Sequence, residues 1–223
     1  MKDFDWIYHR ALELKGSELD DFLPQVKTEK QLLENNSAEY LSLISLRIFR
    51  AGLRHSVVDS KWPIFDKVFK GFSPIYVASL SDEALEAHML QPGLIKHWGK
   101  MKALRHNAAW LLQLEREYDH GFASMIASWP ATDITGLWLH MKKQGQQLGG
   151  RSASAVLRMA GKDTFMLSQD VMVQLRALGV VDTVESTTAQ RDLKAIQQAF
   201  NVWHDQSGVP MAHISRLLSF TQQ

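Results

Sequence analysis

The segment Gly145-Gln-Gln-Leu-Gly-Gly150-Arg-Ser152 gathers residue types from which a phosphate site can be built. Gly145, Gly149 and Gly150 permit positive φ and let backbone N–H groups approach a ligand with no Cβ in between. A helix opening near Ser152 would turn its free N–H groups and positive dipole end toward the glycines. Arg151 and Ser152 would add side-chain contacts. The same residues would also make a plain αα-hairpin whose glycines merely cap the preceding helix. Downstream, Asp170 opens another apolar-periodic run, where an aspartate commonly serves as a helix cap worth about 1 kcal/mol.

Other chemistry is limited by composition. There is no cysteine, which removes disulfides, iron–sulfur clusters and thiolate zinc sites. The nine histidines show no ligand spacing on a shared face, so no metal site and no cofactor are expected. Net charge is only +1, and whole-protein attraction to nucleic acid is therefore weak. Its distribution is more telling. Acidic residues crowd the first 40 positions, whereas Lys96, Lys100, Lys102 and Arg105 fall in one later segment and Lys142, Lys143, Arg151 and Arg158 in another. If the two segments meet they form a basic face for phosphates; otherwise they are solvated helix surfaces.

The elements that must position these residues are helical. Apolar residues recur at helical spacing through the 223-residue chain, with no alternating strand pattern. Helices are expected near 5–15, after Thr28, and over 38–50, 62–69, 81–90, 100–118, 121–129, 134–143, 152–159, 171–178, 188–203 and 210–220. Thr28 with Gln31 makes a possible capping box, and Ser81 a cap with Asp82 and Glu83 in the first turn. The expectation is an all-α chain of roughly ten helices around one cleft, a single unit over 1–223 or two lobes sharing an interface. No run approaches the roughly 20 apolar residues of a membrane span. The first ten residues, acidic and aromatic, do not read as a secretory signal, so a cytoplasmic monomer is expected.

Three motifs resemble the bacterial 3-methyladenine DNA glycosylase I family, within the helix-hairpin-helix glycosylase superfamily. Lys142-Lys143-x-Gly145-x-x-Leu148-x-Gly150-x-Ser152 looks like its hairpin. Ala51-Gly52-Leu53, followed by Trp62-x-x-Phe65-x-x-x-Phe69-x-x-Phe72-x-Pro74, resembles a second segment, and Gly93-Leu-Ile-Lys-His-Trp-Gly-Lys100 with Asn107-Ala108 a third. The three keep their order over roughly residues 45–160.

The resemblance implies double-stranded DNA as partner, with its phosphates on Gly145, Gly149, Gly150, Arg151 and Ser152. It implies that Leu53 wedges into the duplex and that Trp6, Tyr8, Arg47 and His55 surround an extruded base. In the wider superfamily an aspartate at the place of Asp170 is catalytic, since a carboxylate orients water and faces the positive charge that develops on the sugar. Where bifunctional relatives carry a Schiff-base lysine this chain has Ser152, which implies a monofunctional enzyme using water. Arg47 stands where the family has a base-reading glutamate, His55 where it has a tryptophan, and Val171 where it has a zinc-binding histidine. A cation in place of the carboxylate argues against simple 3-methyladenine selectivity. The leading expectation is a monofunctional DNA N-glycosylase for alkylated, 3-methyladenine-like purines in base-excision repair. A non-catalytic DNA-binding relative and a helical protein-interaction module are the alternatives.

Overall fold

Side-chain caps open seven of the fourteen α-helices among the described residues. The computed structural model describes residues 2–222, which form fourteen α-helices and two short 3-10 turns, with no strand among the described residues. The all-α expectation holds, with more helices than the roughly ten expected. Helix α1 (Phe4–Lys15) opens at Asp3, whose carboxylate accepts the Trp6 N–H at 3.0 Å. Helix α2 (Glu29–Leu33) opens on the capping box of Thr28 and Gln31, and α3 (Ser37–Arg50) on a second box formed by Asn36 and Glu39. These boxes satisfy N–H groups that the first helical turn leaves without partners.

Four short helices follow: α4 (His55–Asp59), α5 (Trp62–Val68), α6 (Pro74–Ala78) and α7 (Asp82–Met89). Sequence reading misses α4 and α6, because five residues are too few to display a helical period. Their neighbourhood is held by aromatic packing. Trp62 stacks on Phe65 and Phe72 at 5.0 and 5.1 Å, and Phe49 meets Phe65 edge-on at 4.7 Å. Phe65, Phe69 and Phe72 are fully buried. Burial of this kind stabilises by about 1.5–3 kcal/mol per ring, which explains why the motif's phenylalanines recur as they do.

Helix α8 (Trp98–Glu117) is the longest and packs against α3 and α6. After α9 (Phe122–Ser128) come α10 (Ile134–Gln144) and α11 (Ser152–Ala160), the two arms of the glycine hairpin. Helix α11 lies against α3 and ends at Gly161, whose φ of 89° makes the left-handed cap. The chain finishes with α12 (Gln169–Ala177), α13 (Gln190–Ser207) and α14 (Met211–Phe220). Helix α1 packs on α13 and α14, and Trp203 Nε1 donates to the Lys2 carbonyl at 2.9 Å. One apolar cluster runs from Phe4 through to Phe220. Among the described residues no helix is long and apolar enough to cross a membrane.

Candidate nucleic-acid interface and cavity

Two turns stand out at the surface, and α8 anchors both. The first follows α3. Gly52 takes a φ of 75°, and Leu53 emerges 42% exposed, not tucked away behind the helix. The carbonyls at the C-terminal end of a helix need donors. Lys100, itself buried, reaches over from α8, and its Nζ donates to the carbonyls of Phe49 at 3.1 Å and Ala51 at 2.6 Å. Burial and the nearby Arg47 push the Lys100 ammonium below its ordinary value.

The second turn is the hairpin. Asn107, fully buried, pairs reciprocally with Gln146: its Oδ1 accepts the Gln146 N–H at 2.8 Å, and its Nδ2 donates to the Gln146 carbonyl at 3.1 Å. His106 Nε2 lies 3.0 Å from the Gln144 carbonyl. Gly145 is required by space, since a Cβ there would sit 2.5 Å from Leu148 Cδ1 and 3.0 Å from the Met141 carbonyl. Gly150 is required by conformation: its φ is +56° with open space around it. Helix α11 then begins with no side-chain cap at Arg151. The Ser152 N–H donates to the Gly149 carbonyl at 3.1 Å, which leaves the Ala153 and Ser154 N–H groups to solvent or a ligand, an arrangement that suits an anion.

The two basic segments do meet, through these α8–hairpin contacts. Lys96, Lys102, Lys142, Lys143 and Arg151 are exposed. Three residues expected on that face are engaged elsewhere. Lys100 holds the first turn, Arg105 pairs with Asp82, and Arg158 is drawn inward to the Thr164 carbonyl at 2.6 Å and Ser215 Oγ at 3.0 Å. Burial pushes the Arg158 guanidinium down to about 10.

Between α3 and α11 lies a cavity of about 330 Å³, large enough for a small ligand. Arg47 and Arg50 line it from α3, and His55 from α4. One face of α11 supplies Arg151, Ala155, Arg158 and Met159; the following segment adds Met166 and Ser168. Arg47 and His55 thus line the cavity. Trp6 and Tyr8 do not. Both lie on α1, where Trp6 packs half-buried against the core and Tyr8 stacks on Phe4 at 6.3 Å. That helix packs on α13 and α14, so the cavity walls are Met159 and Met166 in place of the expected aromatics. The contribution of Arg158 and the two methionines was missed. The i, i+4 and i+7 relation of Arg151, Ala155 and Arg158 along α11 is the signal that would have pointed to Arg158.

Asp170 sits exposed in the first turn of α12, but it is not the cap. Ser168 takes that role, accepting the Val171 N–H at 3.3 Å. The Asp170 carboxylate has no hydrogen-bond or ion-pair partner among the described residues, two positions beyond a cavity residue. Asp163, by contrast, is wholly occupied, accepting the Met211 and Ala212 N–H groups at the start of α14. No cluster of histidine and carboxylate side chains suited to a metal occurs among the described residues. A larger cavity of about 480 Å³ beside Glu34, Glu115, Glu117 and Asp119 has the wrong charge for a phosphate backbone.

A glycine hairpin before a helix with an uncapped N-terminus, next to a cavity on the same helix, is the architecture of a helix-hairpin-helix glycosylase fold. The solved structures agree. The chain resembles the Methanocaldococcus jannaschii 8-oxoguanine glycosylase/lyase, crystallised with a 15mer DNA containing 8-oxoguanine, with a TM-score of 0.55 at 14% identity over 96% of each chain. It resembles Staphylococcus aureus 3-methyladenine DNA glycosylase I with a TM-score of 0.51 at 20% identity, over 70% of this chain and 90% of that one. The methyladenine glycosylase family model matches residues 29–191, and the chain belongs to that family. A stretch of 83 residues is 32% identical to DNA-3-methyladenine glycosylase 1 of Escherichia coli (strain K12), covering 37% of this chain and 44% of that protein. The match thus spans less than half the length of that curated relative. The helices outside the family match, α1, most of α13 and α14, pack on one another.

Proposed function

We propose that this protein is a monofunctional DNA N-glycosylase that removes an alkylated purine in base-excision repair. One observation carries the reading: Arg151 belongs both to the hairpin that suits a phosphate and to the lining of the cavity. A backbone held at the α11 N-terminus therefore brings its neighbouring nucleotide to the cavity mouth. Family membership supports the same assignment.

In this reading duplex phosphates rest on Gly149, Gly150, Arg151 and Ser152, with Lys142 and Lys143 adding charge. A damaged base, which costs least to unstack, rotates into the cavity between Met159 and Met166. Exposed Leu53 fills the space it leaves. The Asp170 carboxylate orients a water beside the sugar and stabilises the positive charge that develops as the base departs. The N-glycosyl bond breaks with its electron pair leaving on the base; the water oxygen bonds to C1′ and its proton passes to the carboxylate. Ser152 has no amine, so no imine forms and the strand stays intact.

The test is a duplex pool carrying chemically alkylated purines, incubated with the full chain. Free alkylated base in solution together with abasic sites that break only in alkali supports the proposal. Strand breaks without alkali, or salt-sensitive binding with no base released, contradict it.

A further inference from the structure

The cavity is cationic to a degree its chemistry must explain. It is lined by Arg47, Arg50, Arg151, Arg158 and His55, and by no carboxylate. Two of the arginines are committed: Arg50 pairs with Asp59 at 2.7 Å, and Arg158 with Thr164 and Ser215. Arg47 and Arg151 have no hydrogen-bond or ion-pair partner among the described residues. Arg47 is half-buried, and burial together with Arg151 and Arg50 pushes it below its ordinary value. It is thus a charged donor held among like charges, with nothing of the protein's own to satisfy it.

A purine methylated at N3 or N7 within DNA carries a formal positive charge. Such a base entering this cavity meets the half-buried Arg47 guanidinium, in a medium less screening than water, and the exposed Arg151 among the other lining residues. An uncharged adduct meets the opposite situation. Its unprotonated acceptors, ring nitrogens and in a guanine adduct also oxygen, suit the planar fork of an arginine, the side chain that most often reads the N7 and O6 edge of guanine.

Resting on the glycosylase reading above, we propose that Arg47 makes this cavity selective for an uncharged alkylated purine, such as an O6-alkylguanine or an ethenoadenine, over cationic N3- and N7-methylated bases. The donor satisfies the lesion's acceptors, and the lesion supplies the partner the donor lacks. Met159 and Met166 remain as soft walls against the faces of the ring.

The test uses the full chain and three duplex substrates: one with a single 1,N6-ethenoadenine, one with a single O6-methylguanine, and one treated with a methylating agent to carry 7-methylguanine and 3-methyladenine. Free base is measured by chromatography as initial rates. The expected result is at least about tenfold higher kcat/KM for one of the uncharged adducts than for either methylated base. Arg47→Glu reverses that order, and Arg47→Gln, which keeps an N–H donor without the charge, flattens it. Preferential release of the methylated bases by the wild type overturns the inference and leaves the glycosylase reading standing. An unchanged preference in a folded Arg47→Gln also overturns it. No release from any of the three duplexes overturns both.

Discussion

Lys100 and Asn107 stand two helical turns apart on α8, and each ties down one of two exposed turns from beneath. Lys100 supplies donors to the carbonyls that end α3, and Asn107 pairs edge to edge with the backbone of Gln146 in the hairpin. A single rigid helix therefore sets the spacing between Leu53 and the glycines. Truncating either residue leaves backbone groups without partners, a loss of about 1–3 kcal/mol. Lys100→Met and Asn107→Ala should each lower stability by that much in urea melts. The two share no partner, and at 1.5 Å rise per residue they lie roughly 10 Å apart. The double variant should accordingly be additive within about 0.5 kcal/mol. A large coupling would show that the two turns are not independently anchored.

The hairpin glycines should fail for different reasons. Gly145→Ala drives a Cβ against Leu148 and the Met141 carbonyl, an overpacking cost of about 1–3 kcal/mol. Gly150→Ala meets no neighbour but holds a left-handed conformation at a cost of about 1–2 kcal/mol. Both changes should weaken duplex binding. Leu148→Ala removes a buried side chain and is destabilising by itself. Its cost should be less than additive with Gly145→Ala, whose clash it relieves in part, and additive with Gly150→Ala, as thermal melts of the single and double variants would show.

Arg151 and the exposed lysines make a prediction about salt. Removing one cation that neutralises a phosphate reduces the slope of log K against log salt by about 0.9. Arg151→Ala, Lys142→Ala and Lys143→Ala should each flatten the slope by roughly that amount in titrations with undamaged duplex. Lys100→Met should leave the slope near the wild-type value, because that ammonium is buried against carbonyls and never meets a phosphate.

Tyr40 predicts an alkaline weakness. Its hydroxyl donates to the Leu32 carbonyl at 2.6 Å, and burial, helped by Glu39, pushes its pKa up to about 12. In the unfolded chain the phenol ionises near 10. Between pH 10 and 12 the unfolded state therefore binds fewer protons than the folded one, and stability falls as pH rises. Tyr40→Phe should be less stable at pH 8, for want of the hydrogen bond, and should show a shallower decline from pH 10 upward. An identical alkaline slope in both proteins would remove Tyr40 as its source.

How far the sequence went depended on whether a feature was local. Most helices, the box at Thr28 and the hairpin were legible because periodicity, capping residues and glycines act over a few neighbours. Asp170 shows where locality misleads. Asp and Ser are both good caps, and the fold chose Ser168, leaving Asp170 without a partner in the first turn. The resemblance put Trp6 and Tyr8 around the base, whereas α1 docks on α13 and α14 and neither residue lines the cavity between α3 and α11, a placement that only tertiary packing decides. Lys100 and Arg158 were read as surface cations for the same reason: a long side chain that turns inward to carbonyls is indistinguishable, residue by residue, from one that meets solvent.

The assignment stands or falls on the Asp170 carboxylate. The decisive measurement is single-turnover base release from a duplex pool carrying both methylated and uncharged purine adducts, by wild type and by Asp170→Asn, with duplex affinity measured in parallel. Loss of a positioned acid–base group costs roughly 10²–10⁴ in rate. The substitution should slow release by an amount in that range while duplex affinity holds or rises slightly, since a negative charge is lost. Release by Asp170→Asn at the wild-type rate, or no release by the wild type itself, would contradict the account.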